Sequence, residues 1–205
     1  MTYTPDAAAA VTMPALALRG INVFPNMLLH FDVAREASIK ALDEAMSSAS
    51  PIFLVTQRDL TVEHPQFEDL YSIGTIATVR QILRLPENNV RVMVEGTARG
   101  RLLALQSAEP FLTVTVEELP AAVKTRANSS KTEAMVRQAY SLLERYTELS
   151  DRVTPETYLK VLASDDPADI ADHVAQNLPL RYEDKQLILE ELRPVRRLEK
   201  LVRIL

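Results

Sequence analysis

The sequence contains no cysteine and no tryptophan, and only 4 of its 205 residues are glycine. Without cysteine the chain can form neither a disulfide nor a zinc thiolate site, and a cysteine nucleophile is excluded. A phosphate-binding loop needs closely spaced glycines before Lys-Ser or Lys-Thr, and no such pattern surrounds Gly20, Gly74, Gly96 or Gly100. We therefore expect no ATP-binding site in this sequence.

An excess of basic residues is also lacking, because 23 Lys and Arg face 28 Asp and Glu, for a formal net charge of -5. A general nucleic-acid binder needs clustered Lys and Arg in excess, so we expect no nucleic-acid partner. No apolar stretch approaches the roughly 18 residues of a membrane span, and the first dozen residues do not resemble a secretory signal. These absences predict a cytoplasmic protein that has no membrane partner.

Groups typical of catalytic and metal sites are few and scattered. The sequence has three histidines that lack partners at metal-ligand spacing: His30, His64 and His173. We expect His64 to lie at the surface and His173 to be solvated. The carboxylate pairs lie at the predicted ends of strands or helices, where exposed faces and caps explain them: Glu117-Glu118, Asp165-Asp166 and Glu190-Glu191. No serine lies in a nucleophile-elbow pattern. We therefore predict no catalytic residue, no cofactor and no metal site in this chain.

The spacing of apolar residues changes once, near residue 120. Before it apolar residues alternate with polar ones, as in strands, and after it they recur every three or four residues, as in helices. The predicted fold class is α+β, with a mainly antiparallel mixed β-sheet domain containing one main helix, followed by an α-helical bundle that ends in a long helix. The predicted boundaries are a flexible tail over 1–12, the β-rich domain over 13–120, a linker over 121–129 and the bundle over 130–205.

Within the β-rich domain the continuous apolar run at residues 52–55 is typical of a central strand covered on both faces. Pro86 and the two asparagines after Glu87 favour a tight turn between two strands. The predicted elements are strands over 13–19 and 51–57 around a helix over 35–46, a hairpin of 73–85 with 89–95, and a further pair of strands over 99–105 and 111–117.

The helical part carries three marked helix starts. Ser130 and Glu133 have the spacing of a capping box, while Thr154-Pro155 and Asp166-Pro167 place a capping oxygen before a proline at the first helical position. Another helix is predicted to begin near Arg181, and a last one to run from about 194 to 205. The apolar periodicity continues to the final residue, so we expect this helix to extend into a further portion of a longer protein.

Several segments, in this order along the chain, resemble the amino-terminal region of Lon proteases. The helical segment 184–190 is a weaker match to the same family. The segments that carry the resemblance are 14–25 (PALALRGINVFP), 33–42, 52–59, 69–75 (DLYSIGT), 85–86 and 92–96 with Arg99. Because no single segment is specific, the resemblance depends on their shared order over about 90 residues, a span typical of one domain.

The resemblance implies the non-catalytic substrate-recognition and assembly region of an ATP-dependent serine protease that works as a hexameric ring. In that family ATP and Mg²⁺ bind an ATPase module, and a serine-lysine peptidase module cuts the substrate. Neither module is present in this sequence, so this chain alone is expected to have no enzymatic activity. Its expected partners are unfolded or damaged polypeptides and further copies of the same subunit.

Two other classes remain open from the sequence. One is a stand-alone adaptor or structural protein with the same fold and no attached ATPase or protease. The other is a hydrolase with an unrecognised site. A phosphate-binding loop downstream in the reading frame would favour the protease region, and peptide or ester cleavage by the purified chain would favour the hydrolase.

A binder of unfolded polypeptides needs a shallow apolar patch with adaptable side chains and a polar rim. If residues alternate regularly along the predicted hairpin, Ile82 and Met93 lie among charged residues on its wetter face. A second candidate is the apolar loop that contains Phe24, Met27 and Leu28. In the alternative for each, the side chains are covered and belong to the core.

Overall fold

The structure, a computed structural model, describes residues 10–122, 130–149, 159, 161, 164 and 166–205. The chain divides into two compact units, Met1–Pro120 and Ala121–Leu205. Most of the predicted linker, residues 123–129, lies outside the described residues, as do residues 1–9 of the predicted tail.

The first unit is one six-stranded sheet with a single α-helix among its described residues. The strands follow the order β2-β5-β4-β3-β1-β6, in which only the β1–β3 pair of the described pairings is parallel. This arrangement confirms the predicted mainly antiparallel mixed sheet. The elements are β1 Ala10–Leu18, β2 Leu28–Val33, α1 Glu36–Ser47, β3 Ile52–Thr56, a 3₁₀ turn Phe67–Asp69, β4 Ile73–Arg84, β5 Val90–Ser107 and β6 Thr113–Glu118.

Strand β5 closes most of this sheet because its 18 residues reach two different neighbours. Its second half pairs with β6, and β6 pairs in turn with β1, so β1, β3, β4, β6 and this half of β5 form a closed barrel. The first half of β5 pairs with β2, which stands outside the closure. We call β2, Val90–Glu95 of β5 and Val79–Arg84 of β4 the extension.

Two sequence predictions are corrected by these strands. The predicted tail is wrong for residues 10–12, since Ala10 pairs with Glu117, and β1 therefore begins before residue 13. The predicted strands 89–95 and 99–105 are one continuous strand, because β5 keeps its pairing with β4 on both sides of Gly96. The turn between β4 and β5 is confirmed, with Glu87 and Asn88 both at positive φ.

The apolar core of this unit lies on both faces of β3, whose five residues are all buried. On one face Leu54 and Val92 pack against Leu42 of α1. On the other face, which the barrel encloses, Phe53 packs against Ile76 and Val116. Burial on both faces confirms the central strand that the run at residues 52–55 predicts.

The second unit is a helical bundle, as predicted, and its described α-helices are α2 Ser130–Leu149, α3 Pro167–Asn177, α4 Tyr182–Glu190 and α5 Pro194–Ile204. Asp166 caps α3, because its carboxylate accepts hydrogen bonds from the backbone N–H of Ala168 at 2.8 Å and of Asp169 at 3.3 Å. Ser130 is the first residue of α2. The predicted start at Thr154-Pro155 lies outside the described residues.

A buried arginine holds the last helix of this bundle. Arg197 is 2% exposed, and α5 packs against α2, α3 and α4. The Nε of Arg197 donates to the backbone carbonyl of Glu191 at 2.7 Å, and the Nη1 of Arg197 donates to the carboxylate of Asp172 at 3.0 Å. A buried charge must be paired in this way to be tolerated, so Arg197 ties α5 to α3 and to the segment after α4.

Candidate functional site

A bulge in β4 decides which side chains of the β4–β5 hairpin face solvent. Val79 pairs with Val94, but Gln81 pairs with Met93, so Arg80 is an extra residue and the alternation reverses after it. Ile82 consequently packs against the core together with Val92. The prediction that Ile82 lies on the wetter face is wrong, and the alternative that it belongs to the core is confirmed.

Leu83 takes the place on the solvent side that regular alternation would give to Ile82. Leu83 is 52% exposed, and Leu28, two strands away, is 56% exposed. Between them Met93 is half-buried, as predicted for the wetter side of β5. The solvent side of the extension, which we call the open face, consists of Leu28, His30 and Asp32 of β2, Arg91, Met93 and Glu95 of β5, and Arg80, Gln81 and Leu83 of β4.

Two ion pairs stand at opposite ends of the open face. Arg91 donates to both carboxylate oxygens of Asp32, at 2.7 and 2.9 Å. The Nε of Arg80 donates to Glu95 at 2.6 Å. The guanidinium of Arg91 lowers the pKa of the Asp32 carboxyl, so both groups are ionised at neutral pH and their opposite charges cancel. The open face therefore presents apolar side chains between two neutralised polar borders.

The loop before β2 lies close against β5. A side chain at position 96 would place its Cβ 2.2 Å from the carbonyl oxygen of Phe24, so only glycine permits this approach. The backbone N–H of Asn26 donates to Gly96 at 2.8 Å, and the N–H of Gly96 donates to Met27 at 2.9 Å. Phe24 is 0% exposed as a result, and the alternative that it belongs to the core is confirmed. Met27 is half-buried and directly precedes exposed Leu28.

A cleft of about 640 Å³ lies beside the start of α1. Of its charged side chains, Lys40 pairs with Glu36 at 2.7 Å, and Arg35 donates to the uncharged amide oxygen of Gln57 at 3.0 Å. No group of His, Asp or Glu side chains that could hold a metal ion occurs in the described ranges. Among the same residues no helix is both long and apolar enough to cross a membrane. The open face is therefore the better candidate site.

Comparison with known proteins gives consistent matches over almost the whole chain. The family described as "ATP-dependent protease La (LON) substrate-binding domain" matches residues 12–205. The chain is 42% identical over 193 residues to the Lon protease of Heliobacterium modesticaldum, covering 94% of this chain. It is 34% identical over 191 residues to Lon protease 1 of Bacillus subtilis, covering 93% of this chain.

Two solved structures share the fold. The amino-terminal domain of a Mycobacterium avium complex Lon protease aligns with a TM-score of 0.72 at 21% identity, covering 94% of this chain and 97% of that one. A Lon amino-terminal domain protein from Xanthomonas campestris aligns with a TM-score of 0.67 at 16% identity, covering 94% and 98%. The chain spans 23% of the length of the Heliobacterium relative. This sequence therefore belongs to the family of Lon substrate-binding domains.

Proposed function

We propose that this chain binds unfolded or damaged polypeptides for a Lon-type protease, and that the open face contacts their apolar side chains. The single observation that carries the proposal is the row formed by exposed Leu28, half-buried Met93 and exposed Leu83 between two ion pairs. Unfolded chains differ from folded ones mainly in the apolar side chains that they expose. A small apolar surface with neutralised borders suits such clients.

The composition of this face favours broad and weak binding. Met93 is flexible and polarizable, so it can adapt to differently shaped apolar groups. The two leucines offer area without a deep pocket, and such contacts discriminate little between apolar residues. We expect modest affinity for a single segment, with stronger capture when several copies of the subunit bind one client.

For the whole protein we propose a ring of identical subunits in which domains outside these 205 residues hydrolyse ATP and cut the client. This chain contributes recognition and helps the subunits assemble. The proposal draws on the family and on the relatives named as Lon proteases, of which the chain spans about a quarter. On this proposal the isolated chain binds clients without turnover of nucleotide or peptide.

The open face can be tested with a permanently unfolded client such as reduced and alkylated lactalbumin. Replacing both Leu28 and Leu83 by serine removes the two most exposed apolar side chains of the face. We expect the affinity to fall by about tenfold, equivalent to about 1.4 kcal/mol, because the client loses apolar contact area. Fluorescence anisotropy of the labelled client measures the change.

Leu103 supplies a matched control, since it is 44% exposed on β5 but lies outside the extension. Leu103→Ser should leave the affinity within about twofold of the unmodified chain, because scattered exposed leucines contribute little to a specific contact. Equal losses from the double variant and from Leu103→Ser would contradict the proposal. An unchanged affinity of the double variant would contradict it as well.

A further inference from the structure

Among the described residues, nothing pairs with one row of backbone groups on strand β2. Its partner is β5, and no other described residue makes a backbone hydrogen bond to Leu28–Val33. The N–H of Gly96 donates to Met27, so in an antiparallel ladder the residues two and four positions after Met27 also bond to β5. The N–H and C=O groups of Leu28, His30 and Asp32 therefore point away from the sheet.

In the part of the chain that the structure describes, this edge also lacks the features that usually protect edge strands. Proteins block such edges with lysine, proline, bulges or covering segments. Strand β2 has the sequence LLHFDV, pairs with β5 without a register shift, and carries one charge, Asp32, which Arg91 neutralises. In the barrel, by contrast, the pairing of β5 with β6 closes the sheet. Among the described strands, β2 is thus suited to accept another strand.

A groove of about 290 Å³ runs beside this edge. Phe31 of β2 and Ile21 line it, and both pack against the core while remaining partly exposed. A strand placed along β2 would cover the remaining surface of Phe31. The groove gives an apolar side chain of that strand a place to bind.

Two arginines bring positive charge to the same groove. Arg19 donates to the carbonyl of Val62 at 2.9 Å, and Arg35 donates to the amide oxygen of Gln57 at 3.0 Å. Within the described residues neither guanidinium has a carboxylate within 4.0 Å. Burial and the charge of Arg19 lower the pKa of Arg35, and the more distant carboxylate of Glu63 raises it. A carboxylate on the ligand would bring a counter-charge into direct contact with these guanidinium groups.

We propose that an extended segment of an unfolded client adds to the sheet as a strand along β2. The client backbone bonds to the outward groups of Leu28, His30 and Asp32, and an apolar side chain enters the groove beside Phe31. An acidic residue of the client lies near Arg19 and Arg35. This inference rests on the proposed function and specifies it further, because contact through the open face alone requires no backbone pairing.

Amide hydrogen exchange of the 205-residue chain, measured residue by residue by NMR, tests this pairing. The probe is a short dansylated peptide of alternating Thr and Val or Phe with one Glu at its end. At a peptide concentration of ten times Kd, exchange at Leu28, His30 and Asp32 should slow by about tenfold, because the free edge is then exposed only about a tenth of the time. Leu29 and Phe31 serve as internal controls, since β5 already protects them.

Peptides N-methylated at alternate amides give the second measurement. Methylation of one set of amides should weaken binding by about tenfold, while methylation of the other set should change it little, because only one set faces β2. Replacing the Glu by Lys should weaken binding severalfold. Binding with no slowing of exchange at Leu28, His30 and Asp32 would overturn strand addition and leave the proposed function standing. If neither the peptide nor unfolded lactalbumin binds, both proposals fail.

Discussion

The two halves of β5 have opposite surroundings, although they belong to one continuous strand. The second half pairs with β4 and β6 in the closed barrel, where Leu102 is 4% exposed. The first half pairs with β4 and β2 in the extension, where Met93 is only half-buried. Closure removes free edges and encloses one face of the sheet, whereas the extension keeps an edge and a face open.

This contrast separates stability from binding within a single sheet. Inside the barrel Gly100 lies so close to Phe53 that an added Cβ would stand 2.9 Å from the ring, which indicates tight packing. In the extension one face of the sheet packs against α1, and the other face remains exposed to solvent. We infer that substitutions in the barrel mainly change stability and that substitutions on the open face mainly change binding.

The largest expected effect comes from two phenylalanines, one in each region. Phe53 is fully buried in the barrel, while Phe31 is partly buried at the edge of the extension. Phe53→Ala should lower the free energy of unfolding by about 3–5 kcal/mol through lost burial and a cavity. Phe31→Ala should lower the free energy of unfolding by less than about half of that amount, because the Phe31 side chain is partly exposed to solvent. Urea unfolding followed by circular dichroism measures both, and equal costs would contradict the comparison.

A smaller effect should distinguish the two faces of the extension. Ile82→Ser places a hydroxyl against the core and should cost about 1–3 kcal/mol of unfolding free energy. Leu83→Ser changes an exposed side chain and should stay within about 0.5 kcal/mol of the unmodified chain. Thermal and urea unfolding of the two variants provide the measurement. The reverse order would mean that β4 has no bulge at Arg80 and that Ile82 faces solvent.

The bulge explains why regular alternation misassigned Ile82. Period-two patterning places Gln81 on the core side with Val79, and nothing in the string Val79-Arg80-Gln81-Ile82 marks an extra residue. The register becomes visible only when β4 is paired with β5. The apolar run at residues 52–55, in contrast, needs no partner to indicate a strand buried on both faces, and the structure confirms it.

Long-range contacts limited the sequence prediction in two other places. The burial of Phe24 depends on Gly96, a residue far along the chain, and the only local signal was the glycine itself. The buried arginine Arg197 could not be distinguished by sequence from its exposed neighbour Arg196, because its acceptors belong to α3 and to the segment after α4. Local caps such as Asp166 were predictable because their hydrogen bonds span few residues.

The smallest expected effect concerns the ion pair at one border of the open face. The guanidinium of Arg91 holds the pKa of Asp32 below the ordinary value of about 3.9 for an unfolded aspartate. The pair's contribution to stability is therefore fully present above that ordinary value and is lost as the pH falls through the lower pKa of the folded state. Both side chains are solvent-exposed, so the contribution is small.

Asp32→Asn should accordingly lower Tm slightly at pH 7, and the two melting curves should converge at a pH below the folded-state pKa of Asp32. Differential scanning calorimetry across this range measures the convergence, and a Tm difference independent of pH would show that the pair does not stabilise the fold.

The same variant sharpens the comparison between the regions, because it leaves Arg91 unpaired beside Leu83 on the open face. An unneutralised cation there should weaken the binding of apolar clients, whereas Glu117→Gln, which breaks the Arg101–Glu117 pair of the barrel, should not.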